Sequence, residues 1–155
     1  RADHVDATIQ PALERGAWVL CDRYSDSTRV YQGEAGVEQE YLKLLELAAV
    51  AGLRPDMTLL IDVPPKIGLS RVAKRSETDD SGGPDRFEDE AVAVHERRRK
   101  MFLQLALDEA HRFTIVDGSR DEDFVEREVR KAVLSTFPEE FDIDLDDAVT
   151  VERPF

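Results

Sequence analysis

Seven consecutive residues with polar groups, Asp22-Arg23-Tyr24-Ser25-Asp26-Ser27-Thr28, follow directly on an apolar run, Trp18-Val19-Leu20-Cys21. A surface turn needs one or two such residues, so the cluster calls for a chemical reason. A carboxylate at the end of a strand can hold a hydrated Mg²⁺, and a neighbouring arginine fork can take phosphate oxygens two at a time. Those two parts belong to phosphoryl transfer, in which positioning and charge neutralisation supply most of the catalysis. The plainer alternative is that Asp22 caps a turn while Arg23 pairs with a surface acid, and spacing alone leaves both open. Thr28, Tyr31 and Gln32 stand at i, i+3 and i+4, one face of a helix. Together they offer a hydroxyl, a phenol and an amide, which is either a surface for a base and sugar or an ordinary polar helix face.

A second group surrounds the glycine-rich stretch SETDDSGGP, residues 76–84. Arg71, Lys74 and Arg75 share a helical face before it, and Arg86 stands just after it. A loop with arginines at its hinges has the form of a lid that closes on phosphates and excludes water. The same residues also fit solvated charges paired with Glu77, Asp79 and Asp80. Residues 95–100, HERRRK, read as helix surface beside acidic neighbours.

Around these groups the periodicity predicts helices over 2–15, from about Ser27, over 38–51, from about Lys66, over 88–110 and over 124–134. Pro11 predicts a kink in the first. In the third, Tyr41, Leu42, Leu45, Leu47 and Ala48 form the expected apolar side. Continuous apolar runs at 18–21, 57–63 and 113–116 predict three buried strands, each followed by helix. That alternation is the signature of an α/β fold with a parallel sheet flanked by helices, in which ligands sit at the carboxyl ends of the strands. Residues 137–155 form an acidic, peripheral tail.

Length and charge narrow the functional classes. The chain has 155 residues, enough for one domain, and no apolar run approaches a membrane span. A net charge of −13 repels nucleic-acid backbones and anionic membranes, so neither is an expected partner. One cysteine excludes an internal disulfide and fits a reducing, cytoplasmic setting. Residues 142–153 imitate a calcium loop, but Asp147 stands where glycine is needed and Arg153 where glutamate is needed. His4, His95 and His111 lack zinc-site spacing.

Several motifs, taken in order, resemble the thymidylate kinase family. RADHV with WVLCDRYSDST and YQG resembles its monophosphate-binding segment, and RPDMTLLIDVPPKIGLSR its next strand and lid entry. DRFE at 85–88 resembles the lid exit, and TIVDGS the last strand. The resemblance runs from Arg1 to about residue 134. It implies a P-loop-type kinase domain over 1–136 with a lid at about 66–88, a homodimer, and phosphoryl transfer from ATP to dTMP with Mg²⁺.

The resemblance also implies roles for individual residues. Arg23 would hold the dTMP phosphate, and Asp22 would organise Mg²⁺, through water, and the reacting oxygens. Arg1 and Thr28 would bond the thymine edge, with Ser27 beside them. Tyr31 would pack near C2′ of the sugar and disfavour a ribonucleotide, with Gln32 in support. Arg71, Arg75 and Arg86 would be lid residues, and Arg75 best matches the catalytic lid arginine of the family's bacterial variant. One departure is plain: the family's G-x-x-x-x-G-K-[ST] loop, which cradles the donor phosphates, occurs nowhere in these residues. The expectation is therefore the C-terminal two-thirds of such a kinase, lacking the first strands of the fold and inactive alone. The alternative is a remnant that binds dTMP without turnover.

Overall fold

The computed structural model describes residues 2–76 and 86–141. The first helical stretch comprises α1 (Ala2–His4), a π-helical turn (Val5–Ile9) and α2 (Gln10–Glu14). The turn is where Pro11 makes itself felt. Proline has no N–H to give and crowds the carbonyl four residues back, so the helix re-registers just before it. Gln10 N–H accordingly bonds to Val5 O, five residues away. The next helices are α3 (Ser25–Glu34) and α4 (Gln39–Val50), followed by β1 (Thr58–Asp62) and α5 (Pro65–Ser76). The long α6 (Arg86–Asp108), β2 (Phe113–Asp117) and α7 (Glu122–Thr136) complete the order.

The two strands run parallel in register from Thr58 opposite Phe113 to Asp62 opposite Asp117. Parallel neighbours need a long crossover, and α5 and α6 supply it. Bonds beyond the strands extend the ladder at both ends, Thr58 N–H to Arg112 O at 2.7 Å and Gly118 N–H to Asp62 O at 2.9 Å. Gly118 has to be glycine: a Cβ there would lie 2.6 Å from methyl carbons of both Ile61 and Val63. The fold is α/β with a small parallel sheet flanked by helices.

Three expectations require correction. Residues 18–21 do not form a strand. A strand exists only when a neighbour takes its N–H and C=O groups, and no strand lies beside this segment among the described residues. Nor is the run uniformly buried. Val19 and Cys21 pack on the core of Val5, Ile9, Tyr24 and Val50, while Trp18 and Leu20 point away, Leu20 99% exposed. The segment thus keeps the two-residue alternation of an extended chain without the ladder.

The second correction concerns α4. Its buried side is Leu42, Glu46 and Val50, and Tyr41, Leu45 and Leu47 are exposed. A carboxylate displaces leucines from the interior because Arg29, itself largely buried, stands opposite it. The third concerns the strands, which are not fully buried: Ile61 on β1 and Ile115 on β2 are 43% and 46% exposed. Phe137 meets Trp18 edge-on and Phe141 meets it at a tilt, at centroid distances of 5.0 and 5.3 Å. Among the described residues, no helix is long and apolar enough to cross a membrane.

Candidate functional site

The polar cluster forms the turn into α3. Arg23 has φ +63°, in the left-handed region that side chains other than Gly, Asn and Asp seldom occupy. Strain of this kind persists only where the surroundings impose it, and it gathers at functional sites. Here the imposing contacts are visible. Tyr24, buried, anchors the next residue by donating its hydroxyl proton to Leu53 O at 3.3 Å. The Cys21 thiol points at the Arg23 carbonyl at 3.7 Å. On the other side, Arg23 Nη2 donates to the Tyr31 hydroxyl at 3.4 Å, and the guanidinium lies 5.5 Å from the Tyr31 ring centre.

Tyr31 is the hub of the site. A second guanidinium, Arg98 from α6, lies 4.7 Å from its ring centre, and Phe102 meets it edge-on at 6.4 Å. Cation–ring contacts of this kind each contribute about 0.5–1 kcal/mol where solvent reaches them. Arg98 and Arg97 also grip Glu34, at 3.3 and 3.1 Å. The hydrogen bond from Arg97, then the hydrogen bond and charge of Arg98, hold the Glu34 carboxyl below the usual range. Gly33 lets α3 lie close to α6, since a Cβ at that position would come within 2.9 Å of Met101 Cε.

Beside this hub, Leu60, Asp62, Val63, Arg99 and Phe102 line an open cleft at the carboxyl end of β1. Arg99 donates to both oxygens of Asp62, at 2.6 and 2.8 Å. The arginine run of α6 is therefore not solvated helix surface, as its composition suggested. Arg98 turns onto Tyr31, Arg99 onto Asp62, and of the three only Arg97 is more than half exposed. Only the packing of α6 against α3 and the sheet separates these adjacent arginines. A sequence signal existed: residues 98, 99 and 102 fall on one side of a helix whose apolar positions include Phe102.

The other expected residues distribute unevenly. Asp22 is exposed beside Arg23, Ser27 and Thr28 are half-buried on the first turns of α3, and Gln32 is exposed. Thr28, Tyr31 and Gln32 do lie on one helix. Arg71 is turned to the end of β2, donating to the carbonyls of Gly118, Ser119 and Arg120 at 2.6, 2.9 and 3.0 Å. Lys74 is exposed on α5. Arg1 and the loop at 77–85 lie outside the described residues, as do the side chains of Arg75 and Arg86. The structure thus brings together Arg23, Tyr31, Arg98 and Phe102, of which the sequence pattern pointed to the first two.

Behind the site lies a buried ionic network. Arg112, 6% exposed, takes both oxygens of Asp26, at 2.9 and 2.6 Å, and donates Nε to Glu109 at 2.8 Å. Its Nη1 also reaches Thr58 Oγ1 at 2.7 Å. Arg29 meets the other Glu109 oxygen at 2.5 Å and stands 3.8 Å from Glu46. Arg54 completes the set at 3.4 Å from Glu109. Three guanidinium groups and three carboxylates therefore neutralise one another.

Burial alone would raise the Glu109 carboxyl, but hydrogen bonds and charge from Arg29 and Arg112 outweigh it and leave it below the ordinary carboxylate range. A depressed folded pKa gives stability that is present above the unfolded value and lost as pH falls through the folded one. Unfolding free energy is therefore expected to stay level from neutrality down to about pH 4.5, near the ordinary glutamate value, and to fall below it. The Glu109→Gln variant should lose that part of the acid dependence. Denaturant melts of both proteins between pH 3 and 7 check this.

Arg23 at a positive φ beside the Tyr31 cluster, in an α/β fold with a parallel sheet, marks a candidate site. Comparison with known proteins gives the family. The thymidylate kinase family model matches residues 1–129, and the chain belongs to that family. The thymidylate kinase of Nitrobacter winogradskyi is 44% identical over 134 residues, 86% of this chain and 57% of that protein. That of Nitrobacter hamburgensis is 46% identical over 122 residues, 78% of this chain and 52% of that protein. The chain thus spans little more than half the length of these relatives.

The residues present suit Mg²⁺ in one way only. No group of three or more metal-ligating side chains occurs among the described residues. Asp22 offers a single exposed carboxylate next to Arg23. That donor set fits a largely hydrated Mg²⁺ completed by substrate phosphates, the coordination this ion prefers.

Proposed function

We propose that these residues form the acceptor side of a dTMP kinase, in which the γ-phosphoryl group of ATP passes to dTMP to give dTDP and ADP. The observation that carries the reading is Arg23, held in a strained conformation against Tyr31, with Asp22 exposed beside it. In this reading the Arg23 fork takes two oxygens of the dTMP phosphate and neutralises charge that would repel the donor. Tyr31, already packed between two guanidinium groups and Phe102, presents its edge to the sugar and disfavours a 2′-hydroxyl. Thr28 and Arg1 bond the thymine edge, with Ser27 and Gln32 as supports. Asp22 would hold Mg²⁺, and the ion, when bound, would neutralise charge on the transferring group. Arg75 is the catalytic lid arginine, and Arg86 closes over the donor with it. Arg71 acts from its seat on the turn after β2, steadying the lid's base.

An oxygen of the dTMP phosphate attacks the γ-phosphorus, the bond to the β-phosphate oxygen breaks, and ADP leaves. A homodimeric, cytoplasmic enzyme of dTTP synthesis is the corresponding whole, supported by the family. This chain by itself carries no G-x-x-x-x-G-K-[ST] loop and is proposed to bind dTMP without turnover.

The test is a panel of dTMP, dUMP and UMP, read by calorimetric binding to this chain and by ADP release from the natural polypeptide. dTMP is expected to bind most tightly and to be phosphorylated fastest. Equal use of dTMP and UMP would remove the roles given to Tyr31 and Thr28.

A further inference from the structure

We propose that Arg112 is the positioning residue of the monophosphate site: its fork on Asp26 sets the first turn of α3, and through it Arg23, Thr28 and Tyr31. This inference rests on the dTMP reading above and deepens it.

The contacts along α3 form an antiparallel ladder with α6 and the turn after it. Asp26 meets Arg112, Arg29 meets Glu109, Tyr31 meets Phe102, and Glu34 meets Arg97 and Arg98. The two ends differ in kind. At the Glu34 end the arginines are partly solvated, and such pairs hold geometry weakly. At the Asp26 end both partners are buried, and two parallel bonds fix distance and direction together. Arg112 is fixed from its other side as well, by Glu109, by Thr58 Oγ1 and by the bond from Thr58 N–H to its own carbonyl. It is thus bonded to the sheet through its backbone and to α3 through its fork.

Apolar burial does not do the same work on the first turn of α3. Ser25 and Asp26 are its buried residues there, and the next buried position is Val30. The N-cap residue Tyr24 makes no side-chain cap bond to the helix. Tyr24, held by the core and by Leu53 O, fixes the residue before the helix, and Asp26 with its partner sets the direction of the turn that follows. Buried ion pairs are not retained for stability alone, since apolar replacements often match them. Geometric specificity is the return this arrangement gives the site.

The experiment uses Arg112→Lys in the natural polypeptide, with Asp26→Asn as a second variant should the first fail to fold. Lysine keeps the buried charge opposite Asp26 and loses the fork. Two readouts are needed. Without ligand, amide hydrogen exchange at residues 25–30 should accelerate by about tenfold or more while α7 exchanges as in the wild type. In kinetics, KM for dTMP should rise by about tenfold while KM for ATP stays unchanged, because an ångström of misplacement is costly at the acceptor alone. Wild-type exchange at 25–30 together with a wild-type KM for dTMP in both variants would overturn the proposal. So would an equal rise in both KM values, which marks general loosening. If the wild type phosphorylates no monophosphate at all, the dTMP reading falls, and unchanged exchange at 25–30 would then sink the role of Arg112 independently.

Discussion

Asp26→Ala is expected to lower the unfolding free energy by about 3–5 kcal/mol, the cost of removing one partner from a buried ion pair. The size follows from what remains behind. Arg112 stays 6% exposed and keeps Glu109, but its two bonds to Asp26 have no replacement, and water has no ready path to them. For a chain of this length each kcal/mol is worth roughly 2–4 °C in melting temperature, so a drop of about 10 °C is the expected reading. The double variant Asp26→Leu, Arg112→Met should recover most of it, because removing both charges also removes their desolvation cost. Recovery in the double variant but not in either single one is the mark of a coupled pair. A loss below about 1 kcal/mol for Asp26→Ala is the size typical of solvated pairs and would contradict the burial of Asp26 and Arg112.

The second large effect separates binding from stability at one position. Arg23→Ala should weaken dTMP binding by roughly 10- to 100-fold, since a charge-assisted bond is worth about 1.5–3 kcal/mol. Arg23→Gly should weaken it as much while leaving the fold as stable as the wild type or more so. The reason is the backbone: φ +63° costs an L residue about 1–2 kcal/mol and costs glycine nothing, although glycine gives part of that back in chain entropy. Titration calorimetry with dTMP and thermal melts on both variants decide the matter. If both bind dTMP like the wild type, Arg23 is not the phosphate ligand. If the glycine variant also melts well below the wild type, the strain argument is wrong.

Asp26 and Arg23 are adjacent parts of one device. Asp26 anchors the turn, and Arg23, three residues earlier, carries the strain that the anchored turn imposes. A site so built loses ligand affinity through either residue, but loses stability chiefly through the first.

Much of this was legible in the chain itself. Continuous apolar runs located β1 and β2, although both strands are only partly buried, Ile61 and Ile115 being 43% and 46% exposed. Spacing located α3 to α7 within a few residues, because side chains repeat every 3.6 positions whatever surrounds them. The crowd of polar groups at 22–28 pointed to a candidate site, and the family motifs placed the chain among the thymidylate kinases. What spacing could not carry was orientation and partnership. Residues 18–21 have strand composition, yet a ladder needs a neighbour, and none lies beside them among the described residues. The α4 pattern pointed its leucines inward, but Arg29 draws Glu46 there instead, and a buried charge outranks an amphipathic pattern because its own desolvation must be answered. Arg97, Arg98 and Arg99 are one charge run on paper and three different contacts in space. Local sequence thus determined the elements and the chemistry they carry. Tertiary structure decided which charges meet, because Asp26 and Arg112 are 86 residues apart and no local rule links them.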